Sequence, residues 1–186
     1  MVEQRYQTFW PRFWAALIDA LILLPTGYLA TWVYSIGLPS TLNFGYFVFD
    51  SLLGFAYSVS MHGRFGQTLG KMAMKVVVLD KAFGVLSWRQ AFLRDLVPML
   101  ITIAFVIDVS GLVLSGVNPD QIYENGYHMS PLLWVGAFWM VAELLTMLTN
   151  NKRRALHDFI ARSVVVKRSN FVVNPDAPPS GGAPVT

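Results

Sequence analysis

The chain has 186 residues, 54% of them hydrophobic and 13% charged, with 14 Lys and Arg against 11 Asp and Glu. A soluble domain carries about 25% charged residues, so this chain has too few charges to coat a water-exposed surface. The absence of Cys excludes disulfides and thiolate metal sites, and the small basic excess follows the membrane pattern below rather than a nucleic-acid footprint.

Four stretches are long and apolar enough to cross a bilayer, which takes about 20 residues. In chain order they are 13–36, 42–61, 95–115 and 131–149, and each carries a flaw. The first holds Asp19 and Pro25, the second Asp50, the third Pro98 and Asp108, and the fourth Glu143. Asp19, in the middle of the first run, argues against a cleavable signal peptide. Every Lys and Arg precedes the first span, lies between the second and third, or follows the fourth. The 37–41 and 116–130 connections have none, and the latter carries Asp120 and Glu124. By the positive-inside rule this predicts four crossings with both ends in the cytoplasm, in a bacterial inner membrane. Trp10, Trp14, Trp32, Trp88 and Trp134 fall near span ends, where interfacial anchors belong.

The segment between spans two and three opens with Gly63-Arg64-Phe65-Gly66-Gln67-Thr68-Leu69-Gly70-Lys71. A phosphate loop needs four residues between its glycines and Ser or Thr after Lys; here Met72 follows Lys71, so nucleotide binding is rejected. The glycines instead let backbone pack closely where the chain turns at the membrane. Residues 74–79 read as a strand, 80–84 as a turn and 84–87 as a short return strand. After the fourth span, 152–161 reads as a short amphipathic helix with Leu156, Phe159 and Ile160 on one side, and 163–167 as a strand pairing with 74–79. The predicted fold is therefore an all-α membrane bundle with a small cytoplasmic sheet. Residues 5–168 form the transmembrane domain, and 169–186, rich in Pro and Gly, a disordered tail.

Three motifs in order resemble the RDD family of bacterial membrane proteins. These are Arg12-Phe13-Trp14-Ala15-Ala16-Leu17-Ile18-Asp19; Gly66-Gln67-Thr68-Leu69-Gly70-Lys71 with Leu93-Arg94 further on; and Arg153-Arg154-Ala155-Leu156-His157-Asp158 followed by a Val-rich strand. The resemblance implies Arg12, Asp19 and Asp158 as signature residues, and a suggested role in transporting ligands that are not defined. Gly66, Gln67, Gly70, Lys71, Arg94 and His157 are their expected neighbours on the cytoplasmic side.

Arg12 and Asp19 share a helix face but lie about 10 Å apart along the axis. Arg12 is thus expected to meet phosphate or Asp158, and Asp19 a base such as Lys71 or Arg94. Asp19, Asp50, Asp108 and Glu143 stand at staggered depths and suggest a ladder for protons, cations or a small ligand. A carboxyl in hydrocarbon must be protonated, paired or wetted. The alternative is a non-catalytic subunit or scaffold for a membrane partner. His62, His128 and His157 are not expected to cluster, and neither a zinc-protease nor a serine-hydrolase motif occurs. No enzyme activity, cofactor or metal is therefore expected. The expected partners are the bilayer, its anionic headgroups touching Lys152, Arg153 and Arg154, and a homo-oligomer or membrane partner; nucleic acid is not expected.

Overall fold

A computed structural model describes residues 6–124 and 131–168. Arg5, His128 and the expected disordered tail lie outside the described residues. The elements in order are α1 Phe9–Ser35, α2 Ser40–Phe65, α3 Leu69–Ala73, β1 Val76–Asp80, α4 Trp88–Leu114, α5 Pro119–Glu124, α6 Pro131–Thr149, α7 Leu156–Ile160 and β2 Ser163–Lys167. Helices α1, α2, α4 and α6 are the four with the length and apolarity to cross a membrane.

Three of the spans run longer than hydropathy suggested. The first turn of α1 begins at Phe9, before Arg12. Helix α2 continues through His62, Gly63 and Arg64 and stops where Gly66 turns left-handed, at φ 66°, a conformation glycine adopts without a Cβ clash. Helix α4 begins at Trp88 because Ser87 caps it: the Ser87 hydroxyl accepts the Gln90 N–H at 3.3 Å, and the Gln90 side-chain Oε1 accepts the Ser87 N–H at 3.1 Å.

That cap also explains the main correction to the sheet. The expected three strands are two, because the 84–87 return strand shrinks to a single bridge, Leu79 opposite Val85, before Ser87 starts the helix. Asp80 closes the turn by accepting the N–H groups of Ala82 and Gly84 at 2.7 and 2.8 Å. Strands β1 and β2 pair antiparallel, Val77 opposite Val166 and Leu79 opposite Val164. A two-stranded ribbon is marginal alone, and here both faces are covered. Val76, Val78 and Val165 pack on Leu86 and Ala91, while Val77, Leu79, Val164 and Val166 pack on Tyr6 and Phe83.

The helical core is small and sits toward the α5 end, built from Ala30, Tyr34, Phe47, Val106, Val109, Val113 and Ile122. Helix α4 packs along α2, and α1 packs on α3. None of the residues of α6 is buried. Phe138 is 75% exposed and Trp134 69%, which in water would be untenable and in hydrocarbon is ordinary.

The C-terminal segment departs from the expected 152–161 helix. Only Leu156–Ile160 is helical, since residues 152–155 turn to fold back on α6. Arg153 donates to the Leu148 carbonyl at 2.6 Å, and Asn150 exchanges bonds with the backbone of Arg154 at 2.6 and 2.8 Å. Arg154 is buried and donates to the carbonyls of Ser163 and Asp158 at 2.9 and 2.7 Å. Of the three bases expected at headgroups, Lys152 is exposed, whereas Arg153 and Arg154 are engaged by protein.

Candidate functional site

At the sheet end of the bundle the chain gathers its charges around one fully buried carboxylate, Asp158. Arg12 from α1 donates to Asp158 Oδ2 at 2.8 Å, and Arg94 from α4 donates to Oδ1 at 2.5 Å. The Ala155 N–H at 3.0 Å and the Ser163 hydroxyl at 3.2 Å complete its shell. Burial works against the charge, but the Arg12 and Arg94 guanidinium groups and the Ala155 N–H outweigh it and hold the carboxyl well below its ordinary range. One side chain thereby ties α1, α4, α7 and β2 together. Arg12 also donates to the carbonyl of Arg153 at 3.0 Å, a residue held left-handed at φ 50°.

His157 bridges this knot to α6. Its Nε2 faces the Arg94 and Arg12 guanidinium groups at 3.0 and 3.2 Å, and its Nδ1 lies 2.5 Å from Glu143 Oε1. Guanidinium has no acceptor, so Nε2 accepts and Nδ1–H donates to Glu143. The ring is neutral in this arrangement, and burial and the Arg94 charge hold its pKa below the usual histidine value despite Asp158 and Glu143.

Asp19 is held differently from the expectation. Its neighbours are neutral donors rather than Lys71 or Arg94: Thr68 Oγ1 at 2.5 Å, Tyr57 Oη at 2.8 Å and the Gly70 N–H at 2.8 Å. Glycine at 70 is obligatory, because a Cβ there would lie 2.1 Å from the carbonyl oxygen of Ala15. The short helix α3 is thus docked on α1 by a carboxylate at its first turn. Gly66 supports the same corner, accepting the Val78 N–H at 2.9 Å. Gln67 is buried, its Oε1 without a hydrogen-bond partner among the described residues.

Lys71 turns the other way. Its Nζ lies 2.6 Å from His62 Nε2, and His62 Nδ1 lies 2.8 Å from the Ser58 carbonyl. Nδ1–H therefore donates to Ser58, and Nε2 accepts from Lys71. The Ser58 hydroxyl donates in turn to Asp95 at 2.7 Å. Burial, Arg94 and Arg12 push Lys71 down to about 7, so it exchanges protons near neutrality.

These groups line a cavity of about 670 Å³. Arg12, Asp19, His62, Lys71, Arg94, Asp95, Glu143 and His157 form its polar floor, and apolar residues of α1 and α6 its walls. His62 and His157, expected on the same side but not as a cluster, share this chamber. A second cavity of about 690 Å³ continues toward the α5 end, lined by Asp50, Ser51, Thr31 and Asp120. The four acids of the expected ladder divide accordingly. Asp19 and Glu143 line the first cavity and Asp50 the second, while Asp108, exposed on α4, lines neither.

Sequence reasoning missed Tyr57, Ser58, His62, Thr68 and Asp95. Asp95 sits directly beside Arg94, and its charge at a span edge was available as a signal. Ser58 and His62, four apart, share one helical face.

Fold and site together define a polytopic membrane protein with an acid–base chamber at one end of a four-helix bundle. The RDD family model matches residues 6–162, and the chain belongs to that family. Neither the curated proteins nor the solved structures include a match to it.

Proposed function

We propose that the chain is a transport protein of the bacterial inner membrane, with both termini and the sheet in the cytoplasm, that moves a small ligand together with protons or cations. The observation that carries this reading is a pair of neighbouring cavities, one beyond the other along the bundle. Leu23 of the first adjoins Leu24 of the second on α1, and Gly54 of the first lies one turn from Ser51 of the second on α2. The first cavity contains a row of polar groups, Lys71–His62–Ser58–Asp95, in which His62 Nδ1 also lies 3.2 Å from the Ser58 hydroxyl, an arrangement suited to passing a proton. The signature residues Arg12, Asp19 and Asp158 support the chamber rather than carry the cargo, since their bonds are spent on protein. We read the chain as non-enzymatic, and four helices as few enough that a second copy would help enclose the path.

The alternative is a structural membrane subunit that binds a partner protein. The completeness of the Asp158 shell favours it, because a saturated carboxylate is a fastener.

Purified protein in liposomes with pH- and cation-sensitive dyes separates the two. Transport predicts flux that Lys71→Gln, Asp95→Asn and Asp50→Asn each reduce and Asp108→Asn leaves unchanged. Absence of flux in wild type, or flux indifferent to all four, refutes transport.

A further inference from the structure

The first cavity has unspent hydrogen-bonding capacity of both signs. Among the described residues Lys71 Nζ contacts only the His62 ring, leaving two of its three N–H donors unused. Among the described residues Asp95 accepts only from Ser58, through Oδ2, and Glu143 only from His157, through Oε1. One oxygen of each carboxylate is left over. All three side chains line the same chamber. These three side chains are half-buried and line the open chamber, so their spare donors and acceptors suit a headgroup that both donates and accepts.

The chamber also opens sideways. Phe13, Ala16 and Ala20 on α1 and Met140, Val141 and Leu144 on α6 line it and are exposed on the outside of the bundle. The two helices scarcely touch. In a bilayer that slot faces acyl chains rather than water, and the alanines of α1 keep it wide.

We propose that the chamber binds a phospholipid whose headgroup carries both a phosphate and a primary ammonium, entering between α1 and α6. The phosphate lies against Lys71, the ammonium donates to the free oxygens of Asp95 and Glu143, and the acyl chains leave through the slot. Charge complementarity selects the occupant. An anionic headgroup brings no positive charge to Asp95 and Glu143, and a quaternary ammonium has no N–H to donate to them. The proposal names the ligand of the transport reading, but binding does not require flux: a lipid that binds without flux sinks transport alone, and flux without lipid binding sinks this inference alone.

The test is native mass spectrometry of the full chain in dodecyl maltoside with equal amounts of dioleoyl phosphatidylethanolamine, phosphatidylglycerol and phosphatidylcholine. The expected result is retention of phosphatidylethanolamine over the other two by about tenfold, the scale of one charged hydrogen bond. Asp95→Asn with Glu143→Gln should erase the preference over phosphatidylglycerol, and Lys71→Gln should weaken both phospholipids. Ala16→Trp, or Leu144→Trp on the opposite lip, should block all three. Glycerophosphoethanolamine, the headgroup without chains, should not displace the lipid. Equal retention by wild type, a preference that survives the double substitution in protein that unfolds at the wild-type temperature, or displacement by the chainless headgroup would each overturn the proposal.

Discussion

Replacing Gly70 by Ala should loosen the corner where α3 meets α1 and cost more than alanine at any glycine of the four membrane-spanning helices. The added Cβ would sit 2.1 Å from the Ala15 carbonyl oxygen and 2.9 Å from the Asp19 carboxyl carbon. The first distance is more than 1 Å short of ordinary contact, and the obstacle is backbone, which cannot swing aside. Helix α3 must retreat, and the 2.8 Å bond from the Gly70 N–H to Asp19 then passes beyond the hydrogen-bond limit of about 3.2 Å. Overpacking costs about 1–3 kcal/mol, and a lost hydrogen bond to a charged group about 1.5–3 kcal/mol. The sum, about 2.5–6 kcal/mol, corresponds to a fall on the order of 10 °C in the unfolding temperature of a chain this size. Thermal unfolding in detergent measures it, with Gly45→Ala as the reference, since nothing lies within 4 Å of a Cβ there. Alanine in that helix should be neutral or stabilising by about 0.5–1 kcal/mol. Equal unfolding temperatures for the two variants would refute the reasoning.

Gly63→Ala should cost less, about 1 kcal/mol, because its obstacle at 2.3–2.6 Å is the ring of Trp88, a half-exposed side chain free to move. In a Trp88→Ala background the cost should vanish, and a double-mutant cycle of unfolding temperatures reads the coupling. Arg94→Lys keeps the charge but cannot reach Asp158, Ser163 and His157 together as the guanidinium does at 2.5, 2.7 and 3.0 Å. A loss of about 3 kcal/mol in chemical or thermal unfolding is expected from two missing charged bonds. Lys71 is depressed to about 7 from 10.5 by burial, Arg94 and Arg12, against the opposing pull of Asp158 and Asp95. Between those values the unfolded chain binds more protons than the folded one, so this group makes stability rise with pH across that window. Lys71→Met should flatten the slope of unfolding temperature against pH there.

The membrane character was legible because it rests on composition and on where the bases fall, both of which are local. The pairing of 74–79 with 163–167 was legible for a similar reason: Val-rich runs flanked by turns have few other uses. The extent of α4 could have been read from Ser87 and Gln90, three apart, but Trp88, Arg89 and Gln90 fall below the hydropathy of a span. The site was half legible. The motifs singled out Arg12, Asp19, Lys71, Arg94, His157 and Asp158, and Asp158 was one of the two partners expected for Arg12, but the partners of Asp19 and Lys71 were not legible. Whether Asp19 meets a base or a helix N-terminus depends on how α1 is rotated against α3, fixed by the absent side chain of Gly70. His62 and His157 are 95 positions apart in the chain, and only the packing of α4 on α2 and α7 brings them to one chamber. Arg153 and Arg154 looked like headgroup ligands because sequence shows charge without showing the carbonyls that take it up.

The account stands on Asp158 as the fastener of α1, α4, α7 and β2. Amide hydrogen exchange of wild type and Asp158→Asn in detergent tests it most directly. With one carboxylate oxygen replaced by an amide donor, Arg12 and Arg94 lose their counter-charge, a loss of about 3–5 kcal/mol. The predicted result is faster exchange in β1, α7 and β2 together, while the α5 end of the bundle around Val109 and Val113 keeps its protection. Unchanged protection of residues 76–80 and 156–167 would contradict the account.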